Sequence, residues 1–560
     1  MIRNTVKQGL ALLGMTLCFL ILPGNRITGQ EINKEVYVVR PYEPSLSDAS
    51  KYSFLPSPDG LETKPPIFTY SITPRRLESN FEPDPIKAAK TVTTSLPKIY
   101  KSWIKLGLGN YTTPLAEFNI SNLRSKDYAY GAYLYHKSSR AKLALVNDHK
   151  VPADYMINKV NLYGKRFYAK TTLTGNLRLD HHVFNYYGYN TDLFTDPLPE
   201  MDRDSIRGRT LNTGVDLGFS SAYDNSNALN YKVSASIDYF TDKMKYKETD
   251  VVIKTELNKD FKDLKGGLDI SLDHTRLKGS MDSVNNTIFR FSPYISKKSE
   301  DWKFILGFEG VADIGEITNF YIYPRAQLDI IIIDNVLVPF IGLSGELQKN
   351  SYRHVFSENT YINPGINLKN SSSNLIVIGG LKGNISSVVR FRADVSYTIY
   401  KNFHFFVNDT ILLLENQFTA VYDDADLITY HAQVAAQPTP KFLLTIDGKY
   451  FDYKTYDQAK PWHQPDFRIG IDASYDFSGK FSAALDFSVT GNRWYRNFSL
   501  PEEMDKLKPV ADLNLKLNYH YSKLFTVFAD FYNLTDRSYM IWNQYPSQRF
   551  NFLIGFTYKL

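Results

Sequence analysis

The sequence predicts an all-β protein, a transmembrane antiparallel up-and-down β-barrel of about 22 strands. Three observations support this fold class. From about residue 102 to residue 560, apolar and polar side chains alternate over strand-length stretches. Short connections alternate with longer ones between these stretches. The chain also combines 40 Tyr and 36 Phe with 22% charged residues, as expected when one face of each strand meets lipid and the other meets water.

Residues 1–30 are predicted to be a cleaved signal peptide. Arg3 and Lys7 precede an apolar run from Leu10 to Pro23, and a short polar stretch follows it. This is the layout of a secretory signal, and the run is too short to stay in a bilayer as a spanning helix. Cys18, the only cysteine, lies inside the run, so we expect no thiol in the mature chain.

Residues 31–101 are predicted to be a proline-rich extension, either periplasmic or facing the barrel lumen. Ten of the 26 prolines lie in this segment, which has no sustained strand or helix period. Such a composition is typical of an extended tether.

Residues 102–560 are predicted to form the barrel. In one of the clearest strands, Leu513, Leu515 and Leu517 interleave with Asn514 and Lys516. The same alternation marks residues 391–399, 467–477 and 481–490. A soluble β-sandwich would produce this pattern in one or two strands. Its repetition along the barrel segment, with no helical pattern between strands, favours a membrane barrel.

The connections indicate how the strands are arranged. Short ones are predicted at 124–127, 169–172, 221–227, 297–301, 333–336, 384–387, 437–441, 477–480 and 520–523. Longer ones are predicted at 136–154, 187–207, 350–372, 453–466, 492–510 and 539–549. Bacterial barrels place short turns in the periplasm and longer loops outside. This parity requires a first strand at 102–110 with a tight outer turn at 111–113, and it places both the extension and the C-terminus in the periplasm. A lumen of this width has to be plugged or would leak.

Motifs at the two ends of the barrel segment resemble those of the TonB-dependent receptors of the outer membrane, especially their Bacteroidota members. Residues 107–114 (GLGNYTTP) resemble the family's first hairpin. Residues 533–537 (NLTDR), followed by Trp542, Tyr545, Pro546 and 549–550, resemble its "NL-x-D" and "YP…GR-x-F" endings, although Gln548 replaces the expected glycine. The resemblance implies an outer-membrane location and a role in transport or ligand uptake.

The N-terminal segment departs from this family. Its members carry a folded plug of well over a hundred residues, whereas residues 31–101 have no β-rich plug pattern. Within this segment the stretch Glu35, Val36, Tyr37, Val38 and Val39 resembles the short extended segment by which such receptors engage TonB. TonB is therefore a candidate periplasmic partner.

The last strand is predicted to carry the signal that the barrel-assembly machinery reads. Phe556, Tyr558 and Leu560 share one face of a terminal strand, and Thr557 and Lys559 lie on the other. The resemblance implies a terminal Phe, which is Leu560 here. Hydrophobicity at the last position is kept.

Two sets of residues are candidates for ligand binding or metal binding. Tyr186, Tyr187, Tyr189, Trp542 and Tyr545 lie near predicted outer loops, where they would stack on a sugar or peptide ligand or belong to the aromatic girdle at the membrane interface. The adjacent histidines 181 and 182 cannot chelate one metal ion together, because successive strand residues face opposite sides.

The sequence predicts neither an enzyme nor a nucleic-acid-binding protein. No nucleophile elbow, phosphate-binding loop or helix is predicted after residue 30, so we expect no catalytic, cofactor or metal site. The formal net charge is +6, about half of it from Arg3, Lys7 and Arg26, and there is no polybasic run.

Three functions remain open at this point. The first is uptake or transport across the outer membrane, as the resemblance implies. The second is an accessory or structural barrel in a larger outer-membrane complex for protein assembly or secretion, with the extension docking periplasmic or outer-membrane subunits. The third is a passive pore.

Overall fold

The computed structural model describes residues 100–122, 124–222, 228–279, 283–333, 336–496 and 504–560. The signal peptide, nearly all of the extension and the TonB-contact candidate at 35–39 lie outside the described residues.

Twenty-two strands form one closed antiparallel sheet, in which each strand pairs with its neighbours along the chain. Three further hairpins, β4–β5, β22–β23 and β26–β27, lie in the connections. In chain order the strands are β1 (Ser102–Gly109), β2 (Thr113–Ser121), β3 (Tyr128–Ser139), β4 (Lys142–Ala144), β5 (Lys150–Pro152), β6 (Tyr155–Phe167), β7 (Thr171–Asn185), β8 (Arg207–Ser221), β9 (Asn230–Asp242), β10 (Lys247–Phe261), β11 (Leu264–Lys278), β12 (Ser283–Lys298), β13 (Trp302–Ile314), β14 (Thr318–Ile330), β15 (Val338–Gln348), β16 (Ser371–Ser386), β17 (Val389–Asn408), β18 (Phe418–Thr439), β19 (Phe442–Thr455), β20 (Phe467–Asp476), β21 (Phe481–Thr490), β22 (Arg493–Arg496), β23 (Met504–Leu507), β24 (Val510–His520), β25 (Phe525–Tyr532), β26 (Met540–Trp542), β27 (Tyr545–Pro546) and β28 (Asn551–Lys559).

The barrel closes between its first and last strands. β28 pairs with β1 along seven residue pairs, from Trp103 opposite Lys559 to Gly109 opposite Leu553. The N–H of Leu560 donates to the carbonyl oxygen of Ser102 at 2.7 Å. Closure leaves neither terminal strand with an unpaired edge, as a β-structure inside a bilayer requires. The predicted fold class, an all-β up-and-down barrel of about 22 strands, is confirmed.

The two faces of the sheet differ in polarity. On β14, Phe320 and Ile322 point outward and are 78% and 79% exposed, and β8 presents Val215, Leu217 and Phe219 in the same way. Large apolar side chains at alternate positions on the outside of a closed sheet form the lipid-facing surface of a membrane barrel. The apolar residues of the predicted alternating pattern therefore lie on the outer face of the barrel.

The inner face carries ion pairs between neighbouring strands. Arg178 of β7 lies 2.8 Å from Asp216 of β8 and 3.2 Å from Asp238 of β9. Farther round the barrel, Lys382 of β16 lies 2.9 Å from Asp329 of β14. These charges lie on the face opposite the apolar surface, so the lumen wall is polar.

The connections fall at two distinct ends. All the predicted short connections lie at one end, here called the turn end, and all the predicted longer ones lie at the other, the loop end. The two-residue connection at 262–263, between β10 and β11, also lies at the turn end and was not predicted. The loop end has short connections at 110–112, 243–246 and 315–317 as well. The tight turn at 110–112 was predicted, whereas the short connections at 243–246 and 315–317 depart from the predicted alternation of short and long connections.

One short helix lies in the connection between β15 and β16. Helix α1 (Tyr352–Glu358) begins after Ser351, whose side chain accepts a hydrogen bond from the N–H of His354. The expectation of no helix is wrong here, because a helix of seven residues is too short to give a clear period in the sequence. Among the described residues, no helix is long and apolar enough to cross a membrane.

Candidate ligand-entry site

Loops from different sides of the barrel meet across its mouth at the loop end. We call them the loop cap: residues 140–154, 186–206, 349–370, 409–417 and 533–550. β7 precedes one of these loops and β17 precedes another, on nearly opposite sides of the sheet. Their buried side chains form one cluster, which includes Leu143, Val151, Tyr187, Tyr189, Val355, Phe356, Ile362 and Tyr545.

Aromatic contacts and hydrogen bonds join the loops of the cap. The ring of Tyr361 stacks on that of Tyr545 with centroids 3.6 Å apart, and the ring of Tyr187 meets Tyr545 edge-on at 5.0 Å. The hydroxyl of Tyr187 donates to the carbonyl oxygen of Pro546 at 2.8 Å. Asn416 Nδ2 donates to the carbonyl oxygen of Tyr186 at 3.0 Å. Loops that start on opposite walls are thus held together over the lumen.

The five aromatic ligand candidates from the sequence lie inside this cap. Tyr189 and Tyr545 are 0% and 3% exposed, and Tyr186 and Tyr187 are also buried. Trp542 packs against the cluster from a half-buried position. These side chains face neither lipid nor open solvent in this arrangement. Ligand binding by them stays a prediction, and it requires the cap to open.

The buried tyrosines of the cap remain neutral. Burial raises the pKa of Tyr361 to about 12, and it raises the pKa of Tyr187 and Tyr545 well above the ordinary value for tyrosine. Charged phenolate is costly in an apolar surrounding. The cap therefore acts as an uncharged aromatic core across the physiological pH range.

Ion pairs anchor the loop 349–370 to the lumen wall. Lys349 Nζ lies 2.6 Å from Asp250 Oδ1 and 2.5 Å from Asp273 Oδ1. Arg353 in α1 lies 3.1 Å from the other oxygen of Asp250 and 3.4 Å from Asp238. Three neighbouring strands, β9 to β11, supply these carboxylates. We call this set of residues the wall latch.

A further carboxylate holds the start of α1 to the same wall. Glu248 of β10 accepts a hydrogen bond from the N–H of Tyr352 at 2.6 Å. A negative charge at a helix N-terminus is favourable, because the first N–H groups have no partner within the helix. The hydroxyl of Tyr352 also donates to Asp242 at 2.9 Å.

The other end of α1 contacts a different wall. Glu358 lies 3.1 Å from the Nε2 atom of His354 and 2.7 Å from that of His404 on β17. Burial would raise the pKa of Glu358, but the hydrogen bonds with His354 and His404 outweigh it and hold this pKa at about 2. Helix α1, itself part of the cap, therefore bridges two parts of the barrel wall.

Two cavities open among the loops at this end. The first, of about 560 Å³, lies between the cap and residues 505–511, and charges of both signs line it, among them Lys508, Arg537 and Asp505. The second, of about 620 Å³, has Phe184 and Phe356 among its lining residues. Both volumes are within the range of about 300 to 1,000 Å³ that small-molecule sites occupy.

The remaining predicted positions lie on barrel strands. His181 and His182 face opposite sides of β7: His181 Nδ1 lies 3.1 Å from Asn158 Nδ2, and the ring of His182 packs against Phe356. Within the described residues no group of three or more His, Cys, Asp or Glu side chains could hold a metal ion. Phe556 and Tyr558 lie on β28. Their recognition, with Leu560, by the assembly machinery stays a prediction.

The barrel is similar to several solved structures. The siderophore receptor PirA from Acinetobacter baumannii matches with a TM-score of 0.65 and 11% identity, over 83% of this chain and 81% of that chain. The FrpB iron transporter from Neisseria meningitidis (F3-3 variant) matches with a TM-score of 0.65 and 10% identity, over 83% of this chain and 82% of that chain. The pyoverdine outer membrane receptor FpvA from Pseudomonas aeruginosa PAO1 matches with a TM-score of 0.63 and 11% identity, over 82% of this chain and 78% of that chain. The chain shares the fold of these receptors.

The likeness is one of fold alone at these identities. The sequence matches no protein-family model and no curated protein.

Proposed function

We propose that this chain is a TonB-dependent-receptor-like barrel of the outer membrane that acts in transport or ligand uptake. The observation that carries the proposal is a polar lumen whose mouth is covered by loops that are held together only by non-covalent contacts. A static pore needs no such cover. A conduit that admits selected solutes needs a cover that can move.

The wall latch and the aromatic cap have separate roles in this proposal. The latch fixes loop 349–370 to β9, β10 and β11, so this loop remains attached when the cap opens. The stack of Tyr361 on Tyr545 joins that loop to residues 533–550. Separating this stack parts the two loops without breaking any barrel strand pair. The contact between the two loops is therefore the place where the mouth opens.

The rest of the chain fits the same scheme. Residues 1–30 direct export, and residues 31–101 lie on the periplasmic side with the C-terminus, where Glu35 to Val39 contact TonB. Phe556, Tyr558 and Leu560 are read by the barrel-assembly machinery during insertion into outer-membrane lipid. The motif at 533–537 favours a Bacteroidota-type receptor.

Solute accumulation in a strain that lacks the gene tests this proposal. Cells would be supplied with radioactive iron as siderophore complexes, with copper and with labelled oligosaccharides and peptides. We expect the deletion to lower accumulation of at least one solute class, and the wild-type gene to restore it. Unchanged accumulation of every class, together with lower levels of other outer-membrane proteins, would contradict uptake and favour the accessory role.

An accessory barrel in a larger complex is the second candidate. The observation that favours it is the burial of the cap, whose aromatic core resembles the interior of a folded domain more than an open binding surface. Purification of the native protein in mild detergent, followed by mass spectrometry, separates the two candidates. Stoichiometric assembly or secretion subunits support the accessory role, and a barrel purified alone supports uptake.

A further inference from the structure

We propose that residues 318–325, the part of β14 nearest the loop end, form an open sheet edge that pairs with an extended segment of a partner protein in the outer membrane. We call this stretch the β14 edge. The inference goes beyond both candidate functions and rests on neither of them.

The seam along which β14 and β15 pair is the shortest between the described strands of the barrel wall. The two strands have 13 and 11 residues, but only four residue pairs join them, from Ala326 opposite Leu343 to Asp329 opposite Phe340. The next shortest seam, β24–β25, has six pairs. On its other side β14 pairs with β13 along all 13 residues. The β14 edge is therefore held in the wall by one neighbour only.

β15 leaves the wall beyond this seam and crosses the lumen side of its neighbours. Gly345 lies so close to Tyr323 of β14 that a Cβ atom there would come within 2.6 Å of the tyrosine ring. Leu347 packs in a buried cluster with side chains of β12, β13 and β14, and its carbonyl oxygen accepts a hydrogen bond from Arg290 of β12 at 2.9 Å. Lys349 then joins the wall latch on β10 and β11. The latch therefore holds this end of β15 away from β14.

Side chains close the resulting gap on its lumen side. Tyr323 is 1% exposed, and its hydroxyl lies 2.6 Å from that of Ser372 on β16. The ring of Tyr321 stacks on that of Tyr323 with centroids 5.8 Å apart. β14 and β16 are thus joined on the lumen side where β15 is displaced. The gap is a groove in the outer wall and not a passage for solutes.

The β14 edge lies in the lipid-facing band. Outward side chains of β14 are apolar from Phe320 and Ile322 to Leu328 and Ile330. Phe320 and Ile322 are 78% and 79% exposed, whereas Leu217 on β8, which has neighbours on both sides, is 57% exposed. Backbone N–H and C=O groups that face lipid without a partner are costly, because hydrocarbon supplies no hydrogen bonds. We therefore expect the edge to be covered in the membrane.

An extended polypeptide segment fits this edge. Lipid chains offer neither donor nor acceptor, whereas an added strand offers both at the spacing of the ladder. Residues 317–323 (ITNFYIY) carry no charge and are rich in β-branched and aromatic side chains, while edges that avoid pairing are usually protected by Lys or Pro. Pro324 has no N–H, so the partner would pair with residues 318–323. Its alternate side chains should be apolar, to continue the lipid-facing surface beside Phe320.

A second copy of this chain does not fit the edge. Two copies in one membrane share their orientation and are related by an axis along the membrane normal. Because barrel strands tilt by about 35–45° from that axis, facing β14 strands of two copies would cross at about 70–90°. A ladder requires strands that run alongside each other. The partner is therefore a different protein.

Photo-crosslinking in the native outer membrane tests the inference. Cys18 is the only cysteine and lies in the predicted signal peptide, so an engineered cysteine is the single labelling site of the mature chain. Phe320→Cys carries a benzophenone-maleimide probe on the β14 edge. Leu217→Cys carries the same probe on a lipid-facing position of β8, which is paired on both sides. Mass spectrometry identifies the crosslinked peptides after irradiation.

We expect Phe320→Cys to form one discrete adduct with one segment of one other protein, a segment whose alternate residues are apolar. Leu217→Cys should not form this adduct. Adding Ile322→Lys to Phe320→Cys should abolish it, because a charge on a sheet edge opposes pairing. Adding Phe219→Lys on β8 instead should leave it in place. Folding of each variant is checked by the heat-dependent shift in its electrophoretic mobility.

Several results would overturn the inference. They are the same adducts at both probe positions, crosslinks to lipid alone from Phe320→Cys, a crosslinked dimer of this chain, or an adduct that persists after Ile322→Lys. None of them depends on whether the deletion strain accumulates less solute. Failure of this inference and failure of the uptake function are therefore distinguishable.

Discussion

Removal of the Lys349 charge should release loop 349–370 from the lumen wall. Lys349→Met keeps most of the side-chain length and deletes the ammonium that contacts Asp250 and Asp273. The side chains of these three residues are only 15%, 3% and 12% exposed, so solvent screens the pairs little. Arg353 still neutralises Asp250. Among the residues that the structure describes, however, Asp273 has no second cation within ion-pair distance.

The expected cost follows from that unpaired carboxylate. Removing one partner of a buried ion pair destabilises by about 3–5 kcal/mol. If the loop rather than the barrel bears this cost, the detached population rises by at least about a hundredfold, since 1.4 kcal/mol is a factor of ten. Hydrogen exchange with mass spectrometry on the full chain in detergent should show faster exchange in peptides from loop 349–370.

Two further variants determine whether the pairing is the cause. Lys382→Met removes a lumen cation that pairs with Asp329, away from the latch, and should leave exchange in loop 349–370 unchanged. Adding Asp273→Asn to Lys349→Met removes the unpaired charge and should restore part of the protection of loop 349–370 against hydrogen exchange. Wild-type exchange rates in Lys349→Met would refute the latch as the anchor of this loop.

Three further predictions concern other contacts of the barrel and cap. The pKa of Glu358 is lowered from 4.5 to about 2, so the stability that this carboxylate gives the loop is full above pH 4.5 and is lost as the pH falls toward 2. Hydrogen exchange of the α1 backbone should therefore accelerate over this pH interval in the wild type and not in Glu358→Gln. The stacked pair Tyr361 and Tyr545 should show a coupling energy of about 0.5–1.5 kcal/mol in a double-mutant cycle to leucine, measured by local hydrogen exchange, and additive effects would contradict it. Asn110 makes two 3.0 Å hydrogen bonds with the backbone at the start of β28. Asn110→Ala should therefore lower the free energy of unfolding of the barrel by about 1–3 kcal/mol, seen as a lower unfolding midpoint. Asn147→Ala in an outer loop should leave that free energy unchanged.

The barrel could be predicted because its determinants are local. Alternation along a strand such as β24 follows from the two environments of its faces, and neither depends on distant residues. The first hairpin also followed from parity, although Tyr111 and Thr112 adopt positive φ values of 56° and 49° without the glycine usual for such turns. The connection at 262–263 was missed because it has only two residues and contains neither Gly nor Pro, so Asp263 is its single turn-forming residue.

The cap and latch could not be predicted, because both depend on residues far apart in the sequence. Tyr187 and Tyr545 are buried because loops from separate parts of the barrel wall meet, so the sequence alone left a ligand-stacking surface and the membrane-interface girdle as alternatives. In the sequence, Asp250 and Asp273 occupy ordinary polar positions of two strands. Only the register, which sets Asp250 opposite Thr275, brings them to one ammonium group.

Single-channel conductance in planar bilayers tests the central claim, that the loop cap closes the mouth. The wild-type full chain would be compared with the Tyr361→Ala, Tyr545→Ala double variant, which removes the stacked pair and leaves every barrel strand intact. We expect the wild type to stay closed and the variant to show large, frequent openings. Equal conductance in the two proteins would contradict the account.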